Sequence, residues 1–385
     1  MNPLSRLLIL PQSEKQERGL LYTPAEIAQQ PATWHTTHRL FEESRSELVR
    51  FLQKAHAERW TIYLVGAGTS DYIGRAIEHL LRRCWGCEVS TVASTDLLTN
   101  RDDLVIPDRD YLWISFSRSG DSPEGVAVLE QALASSPRIR HLVVSCNANG
   151  RMVKLARESK HCFAMLLDAT VNDRSLAMTS SFTNMVIFGQ ELARLWENDS
   201  FEPTLDRMTA AAEYVLEEGS QLAYNLAQQN YHRACFVGAG ALGATARESA
   251  LKLLELTSGG IQTMYETTLG LRHGPMSSLN MDTLLTGFLS TDARRRRYDA
   301  DLLNEIRAKQ AVRTIVAIGG NDSAADHSLH SLAFDALEDT YRPAVDVIFS
   351  QMLGLFSSIE LGLKPDTPSP NGLISRVVEK FAIYV

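Results

Sequence analysis

The chain has 385 residues, of which 44% are hydrophobic and 22% charged, the composition of an ordinary soluble globular protein. At roughly 100–200 residues per domain, this predicts two domains, each able to bury its own core. A formal net charge of −8 leaves no basic field for a nucleic-acid backbone or an anionic lipid surface, so neither partner is expected.

Residues 1–40 read as an N-terminal leader or arm, broken by Pro3, Pro11 and Pro24. Its apolar run Leu7–Leu10 is too short for a signal peptide, and no run of about 18 apolar residues follows, so a cytoplasmic location is expected. Five cysteines, an odd number, suit a reducing compartment. Cys84 and Cys87 have redox spacing but no second ligand pair, so they read as ordinary thiols.

Apolar runs bounded by turn residues then mark buried parallel strands: Ile62–Val65, Tyr111–Phe116, His141–Ser145 and His161–Leu167. They recur in the same order and at nearly the same spacing as Ala234–Val237, Leu284–Leu289, Thr314–Ile318 and Ser331–Leu337. Helical periodicity lies between them, over 72–84, 124–134, 246–256 and 298–308. The chain therefore reads as α/β: two tandem copies of one three-layer αβα domain, each a parallel sheet flanked by helices. The expected boundaries are 41–200 for the first domain and 208–361 for the second, with a proline-rich C-terminal tail over 362–385. Arg294–Arg297 read as a solvated helix start.

The first copy carries loops suited to an anion. Gly66-Ala67-Gly68-Thr69-Ser70 joins a strand to a helix, where unpaired amides and the helix dipole attract negative charge. It lacks the third glycine and the acidic residue of a dinucleotide site. Ser117, Ser119 and Ser122 surround Gly120 at the next helix start, where hydroxyls and amides suit a phosphate ester. Ser122 with Pro123 equally reads as a helix cap, and both readings are compatible. Thr179-Ser180-Ser181-Phe182-Thr183 is either a third wall of the pocket or another cap.

In the second copy, Glu248, Lys252 and Glu255 share one helix face at i, i+4 and i+7, a spacing that also suits a solvated ion pair. A loop histidine, His273, follows in Leu271-Arg272-His273-Gly274-Pro275.

Gly66–Ser70, Ser117–Glu124 and Thr179–Thr183 resemble the sugar-isomerase (SIS) domain, with two copies over most of residues 45–360. The resemblance implies a sugar 6-phosphate substrate held by Gly68, Thr69, Ser70, Ser117, Ser119 and Ser122, with Thr179 and Ser180 nearby. The Glu248–Glu255 helix and the His273 loop resemble the isomerase half of glucosamine-6-phosphate synthase. That implies Glu255 as the base between sugar carbons 2 and 1, His273 as the aid to ring opening, and Glu248 and Lys252 as positioning groups. It also implies a histidine supplied by a neighbouring subunit, hence a homodimer or higher oligomer with active sites near the subunit interface. No metal or cofactor is called for.

Where the synthase has a Schiff-base lysine in its tail, this chain offers Arg376, with Lys380 further on, and no glutaminase domain is expected; both count against amino-sugar synthesis. Thr95–Asn100, Arg174, Ala177–Ser181 and Asp366–Ser369 resemble the bacterial tagatose-6-phosphate ketose/aldose isomerases, also regarded as galactosamine-6-phosphate deaminases. The implied reaction turns galactosamine 6-phosphate into tagatose 6-phosphate and ammonia. Plain isomerisation and glucosamine-6-phosphate deamination are the alternatives. A non-catalytic sugar-phosphate sensor is disfavoured, because the leader is too short for a DNA-binding module.

Overall fold

The computed structural model describes residues 1–384; Val385, the last residue of the expected tail, lies outside the described residues. The chain divides into two compact units. The first comprises Thr33–Asp173, Ser180–Phe201 and the tail from Ile374 onward. Its sheet contains β1 (Thr61–Gly66), β2 (Val89–Ala93), β3 (Tyr111–Ser117), β4 (Ile139–Ser145) and β5 (Cys162–Leu166), all parallel, in the order β2-β1-β3-β4-β5.

Every residue of β3 is buried, which is why this strand is almost continuously apolar rather than alternating. The helix Thr69–Trp85 packs on β1 and β2 and against the helix Ser180–Ala193. On the sheet, Val65, Tyr111, Trp113 and Ile139 close over Val128 and Ala132 of the helix Pro123–Ser135, while Val143 meets Met152 and Val153 of the helix Arg151–Glu158.

The second unit comprises Met1–Ala32, Arg174–Thr179 and Glu202–Leu373. It holds β6 (Arg233–Gly238), β7 (Gln262–Thr267), β8 (Thr283–Phe288), β9 (Thr314–Ile318) and β10 (His327–Leu329), again parallel, in the order β10-β9-β8-β6-β7. Read from the other edge this is the topology of the first sheet, so the repeat in the sequence is a repeat of fold. The helix Pro343–Glu360 packs against Glu202–Ala227 and Ala241–Leu256. Leu302, Leu303 and Ile306 of the helix Ala293–Ala308 close on Leu285 and Ile315 of the sheet. Asp292 caps that helix through the amides of Arg294 and Arg295, so the arginine cluster starts a helix.

Three expectations are corrected. Residues 1–40 are not a loose arm but form the helices Pro3–Leu8, Gln12–Arg18 and Thr23–Ala28 and the start of Gln30–Ala57. Pro3 and Pro24 occupy first-turn positions and Pro11 the cap, where a missing N–H costs nothing. Second, Ser331–Leu337 is not a strand: Leu332–Asp335 is a single helical turn with Leu332 exposed, and the strand is β10 just before it. Third, the edge strands β2 and β7 were not expected, since VSTVA and QTMYET carry too much polar character for a buried run.

Candidate active site

In the first unit, β1 and β3 are neighbours whose following helices leave the sheet at the topological switch point, the crevice where open α/β sheets bind ligands. Gly66 ends β1, and a Cβ there would lie 2.3 Å from the Ser70 carbonyl carbon, so glycine alone lets the turn fold back on the strand. Gly68 caps the helix Thr69–Trp85 at φ +56°, a left-handed value that again selects glycine. Thr69 and Ser70 thus start a helix of 17 residues at its positive end, both buried.

The second loop is braced from within. Ser117 Oγ accepts the Gly120 amide at 3.1 Å and Ser119 Oγ accepts the Asp121 amide at 3.2 Å. These bonds leave the hydroxyl hydrogens to point at an anion. Asn147 Nδ2 donates to the Ser119 carbonyl at 2.8 Å, the Met152 amide to the Gly120 carbonyl at 2.9 Å and the Arg151 amide to Asp121 Oδ1 at 2.8 Å. The loop after β4 therefore fixes the shape of the loop after β3. Ser122 stands at the cap of Pro123–Ser135 without making a capping bond, so the cap reading does not account for its hydroxyl.

The Thr179–Thr183 cluster resolves mainly as a helix start. Asp173 accepts the amides of Ser180 (3.1 Å) and Ser181 (2.9 Å) and the Ser181 hydroxyl (2.5 Å). Thr183 Oγ1 accepts from Trp34 Nε1 at 3.1 Å. Thr179 and Ser180 are fully buried.

In the second unit the chain's own side chains tie down the loop after β8 and the end of β9. Arg342 is fully buried and donates to the carbonyls of Leu289 and Ile318 and, at 2.6 Å, to Asp346. Ser290 Oγ donates to Asp339 at 2.6 Å and the Ser290 amide to Asp299 at 2.9 Å. Side chains of the protein thus take up the backbone polar groups after β8 and at the end of β9.

What the second unit offers instead is the helix Ala241–Leu256. Lys252 Nζ donates to Glu255 Oε2 at 2.5 Å and lies 3.4 Å from Glu248 Oε1. Burial works against the Lys252 charge, but the carboxylates of Glu248 and Glu255 outweigh it and raise its pKa above the usual lysine range. The side chains of Glu248 and Lys252 are 0% exposed, whereas that of Glu255 is 24% exposed. The cluster is therefore not a solvated helix face: Glu255 is the member that solvent can reach. His273 sits on a short 3-10 turn, Gly270–His273, exposed, with no hydrogen bond to Glu255, Lys252 or Glu248.

The SIS domain family matches residues 56–194 and 226–356. The chain belongs to the SIS domain family. It is 36% identical over 375 residues to the D-galactosamine-6-phosphate deaminase of Escherichia coli, covering 94% of this chain and 95% of that one. Among solved structures, the tagatose-6-phosphate ketose/aldose isomerase of Escherichia coli is 34% identical with a TM-score of 0.82, over 91% of this chain and 95% of that chain. The C-terminal domain of glucosamine-fructose-6-phosphate aminotransferase from Francisella tularensis shares the fold, with a TM-score of 0.74 at 20% identity over 90% of this chain and 98% of that chain.

Sequence reading named Asp366 and Arg174 through the resemblance but not what they bind. Asp366 accepts the amides of Leu21 (2.7 Å) and Thr23 (2.8 Å) and so caps the helix Thr23–Ala28. Glu26 accepts the amide of Arg174 (2.5 Å) and both the amide and hydroxyl of Ser175. A carboxylate flanked by turn residues is the only local signal for such a cap, and it does not name its partner. Cys84 and Cys87 are free and half-buried, and burial and the neighbouring Glu197 push the Cys84 thiol up to about 11, which leaves it a poor nucleophile. Among the described residues, no helix is long and apolar enough to cross a membrane.

Proposed function

We propose that this protein converts galactosamine 6-phosphate and water into tagatose 6-phosphate and ammonia. The observation that carries the proposal is the Glu248–Lys252–Glu255 cluster, with one solvent-accessible carboxylate on a buried ammonium, in a chain whose serine loops suit a phosphate. In this reading Ser70, Ser117, Ser119 and Ser122, with the amides around Gly68 and Thr69, hold the phosphate. His273 moves the proton between the anomeric hydroxyl and the ring oxygen, which opens the ring to the 2-amino aldehyde. Glu255 takes the carbon-2 proton while the carbon-1 oxygen gains one, giving an enolamine, and returns it to carbon 1 as the nitrogen loses one, giving a ketimine at carbon 2. Water adds to that carbon and ammonia leaves. Lys252 fixes Glu255, and Glu248 fixes Lys252.

The same steps on a substrate with a hydroxyl at carbon 2 interconvert aldose and ketose without loss of ammonia. The likeness to the tagatose-6-phosphate isomerase favours this as the second reading. Ammonia release, coupled to a reporter enzyme and measured on purified protein with galactosamine 6-phosphate, decides between them. Release supports the deaminase; no release from galactosamine or glucosamine 6-phosphate, with tagatose 6-phosphate isomerised, supports the isomerase.

A homodimer follows from the same reading. The exposed His273 precedes Pro275 and Leu279, which line an open groove of about 580 Å³ with Leu254 and Met264. A second copy on this groove would complete the site that His273 serves. Light scattering on purified protein tests this, with a monomer as the refuting result. A phosphorylated substrate, which does not cross membranes unaided, supports a cytoplasmic location, which cell fractionation checks.

A further inference from the structure

The tail from Ile374 onward belongs to the first unit, yet its apolar side chains do little to hold it. Ile374, Val378, Phe381 and Tyr384 are 55%, 56%, 48% and 87% exposed. What fastens it is Arg376. Its guanidinium donates to the Asp173 carbonyl and to Asn172 Oδ1, each at 2.5 Å, and reaches the Asn172 carbonyl at 3.4 Å. Asp173 in turn caps the helix Ser180–Ala193. In the other direction, the Arg376 carbonyl accepts from Arg118 Nη2 at 2.5 Å.

Arg118 lies between Ser117 and Ser119 and is only 7% exposed. A buried guanidinium needs acceptors, and here a backbone carbonyl of the tail is one of them. The position of the tail and the shape of the serine loop are thereby joined through one residue. The fork of Arg376 meets three acceptors of fixed geometry, which a lysine cannot match.

We infer that Arg376 is a positioning residue for phosphate binding: it docks the tail on Asn172 and Asp173 and, through its carbonyl, holds Arg118 and the serine loop in the receiving conformation. This rests on the reading of Ser117, Ser119 and Ser122 as the phosphate cradle. Linkage makes the effect reciprocal, so an anion in the cradle strengthens the docking of the tail.

Two readouts test it on the full chain. Arg376→Ala raises KM for the sugar phosphate about tenfold or more, leaves kcat within about threefold, and weakens inorganic phosphate binding in calorimetry. Arg376→Lys recovers only part of the loss. Carboxypeptidase removes the tail of the wild type slowly, and more slowly with inorganic phosphate; in Arg376→Ala it is fast and phosphate gives no protection. Asn172→Ala, which deletes one acceptor and leaves the backbone intact, shifts the same readouts in the same direction and serves if the arginine variant fails to fold. Unchanged KM, phosphate affinity and tail digestion in a variant that binds phosphate overturn the inference. A wild type that binds no phosphate, with Ser119→Ala indistinguishable from it, instead overturns the cradle reading.

Discussion

Replacing Lys252 by Met keeps the aliphatic stem and deletes the ammonium that lies 3.4 Å from Glu248 and 2.5 Å from Glu255. Glu255, 24% exposed, can turn to water. Glu248, at 0%, cannot, so its carboxylate is left buried without its counter-ion. Removing one partner of a buried pair costs ~3–5 kcal/mol, and at ~2–4 °C per kcal/mol for a domain of this size the melting temperature falls by about 10 °C at pH 7.5. Calorimetry at pH 7.5 reads this directly, and a loss below about 2 °C would refute the assignment of Lys252 as the buried counter-ion.

Glu255→Gln retains an acceptor for Lys252 and loses the base; we expect kcat to fall by ~10²–10⁴-fold with the melting temperature nearly unchanged, and a variant of full activity would remove Glu255 from the mechanism. Gly66→Ala places a methyl 2.3 Å from the Ser70 backbone, so the variant should lose sugar-phosphate affinity and stability together; equilibrium unfolding and calorimetric titration check both. Glu191 is buried, which pushes its carboxyl from the usual 4.5 up to about 7, although the hydrogen bond from His38 pulls the other way. A raised folded pKa means that the stabilisation present below pH 4.5 is lost as pH rises through 7, by ~3 kcal/mol at 1.36 kcal/mol per unit. Urea unfolding of Glu191→Gln between pH 5 and 8 should lack that component, and a slope equal to the wild type would contradict it.

The central strands were legible because a strand buried on both faces must be almost wholly apolar, as in Leu112–Ile114 and Leu284–Leu285. The edge strands β2 and β7 were not, since one covered face leaves room for Ser90, Thr91 and Glu266. Ser331–Leu337 misled because a short apolar run has no period of its own: Phe334 and Leu337 are buried from a helical turn. The leader misled because proline was read as a breaker where it starts helices. At the site, the glycine turns and the Glu248–Lys252–Glu255 spacing are local and could be read. The ties that Arg342 makes to the carbonyls after β8 and at the end of β9 could not, because no local pattern joins Arg342 to Leu289.

The capping of the helix Thr23–Ala28 by Asp366 has a consequence in time. The amide of Leu21 and the carboxylate that receives it are 345 residues apart, so at ~5–20 residues per second the ribosome needs roughly 20–70 s to supply the partner. The helices Pro3–Leu8, Gln12–Arg18 and Thr23–Ala28 have six or seven residues each, too few to persist alone. For that interval Leu4, Leu7, Leu20 and Ile27, all buried in the finished protein, stand open on the nascent chain, where a chaperone that reads apolar segments would bind them.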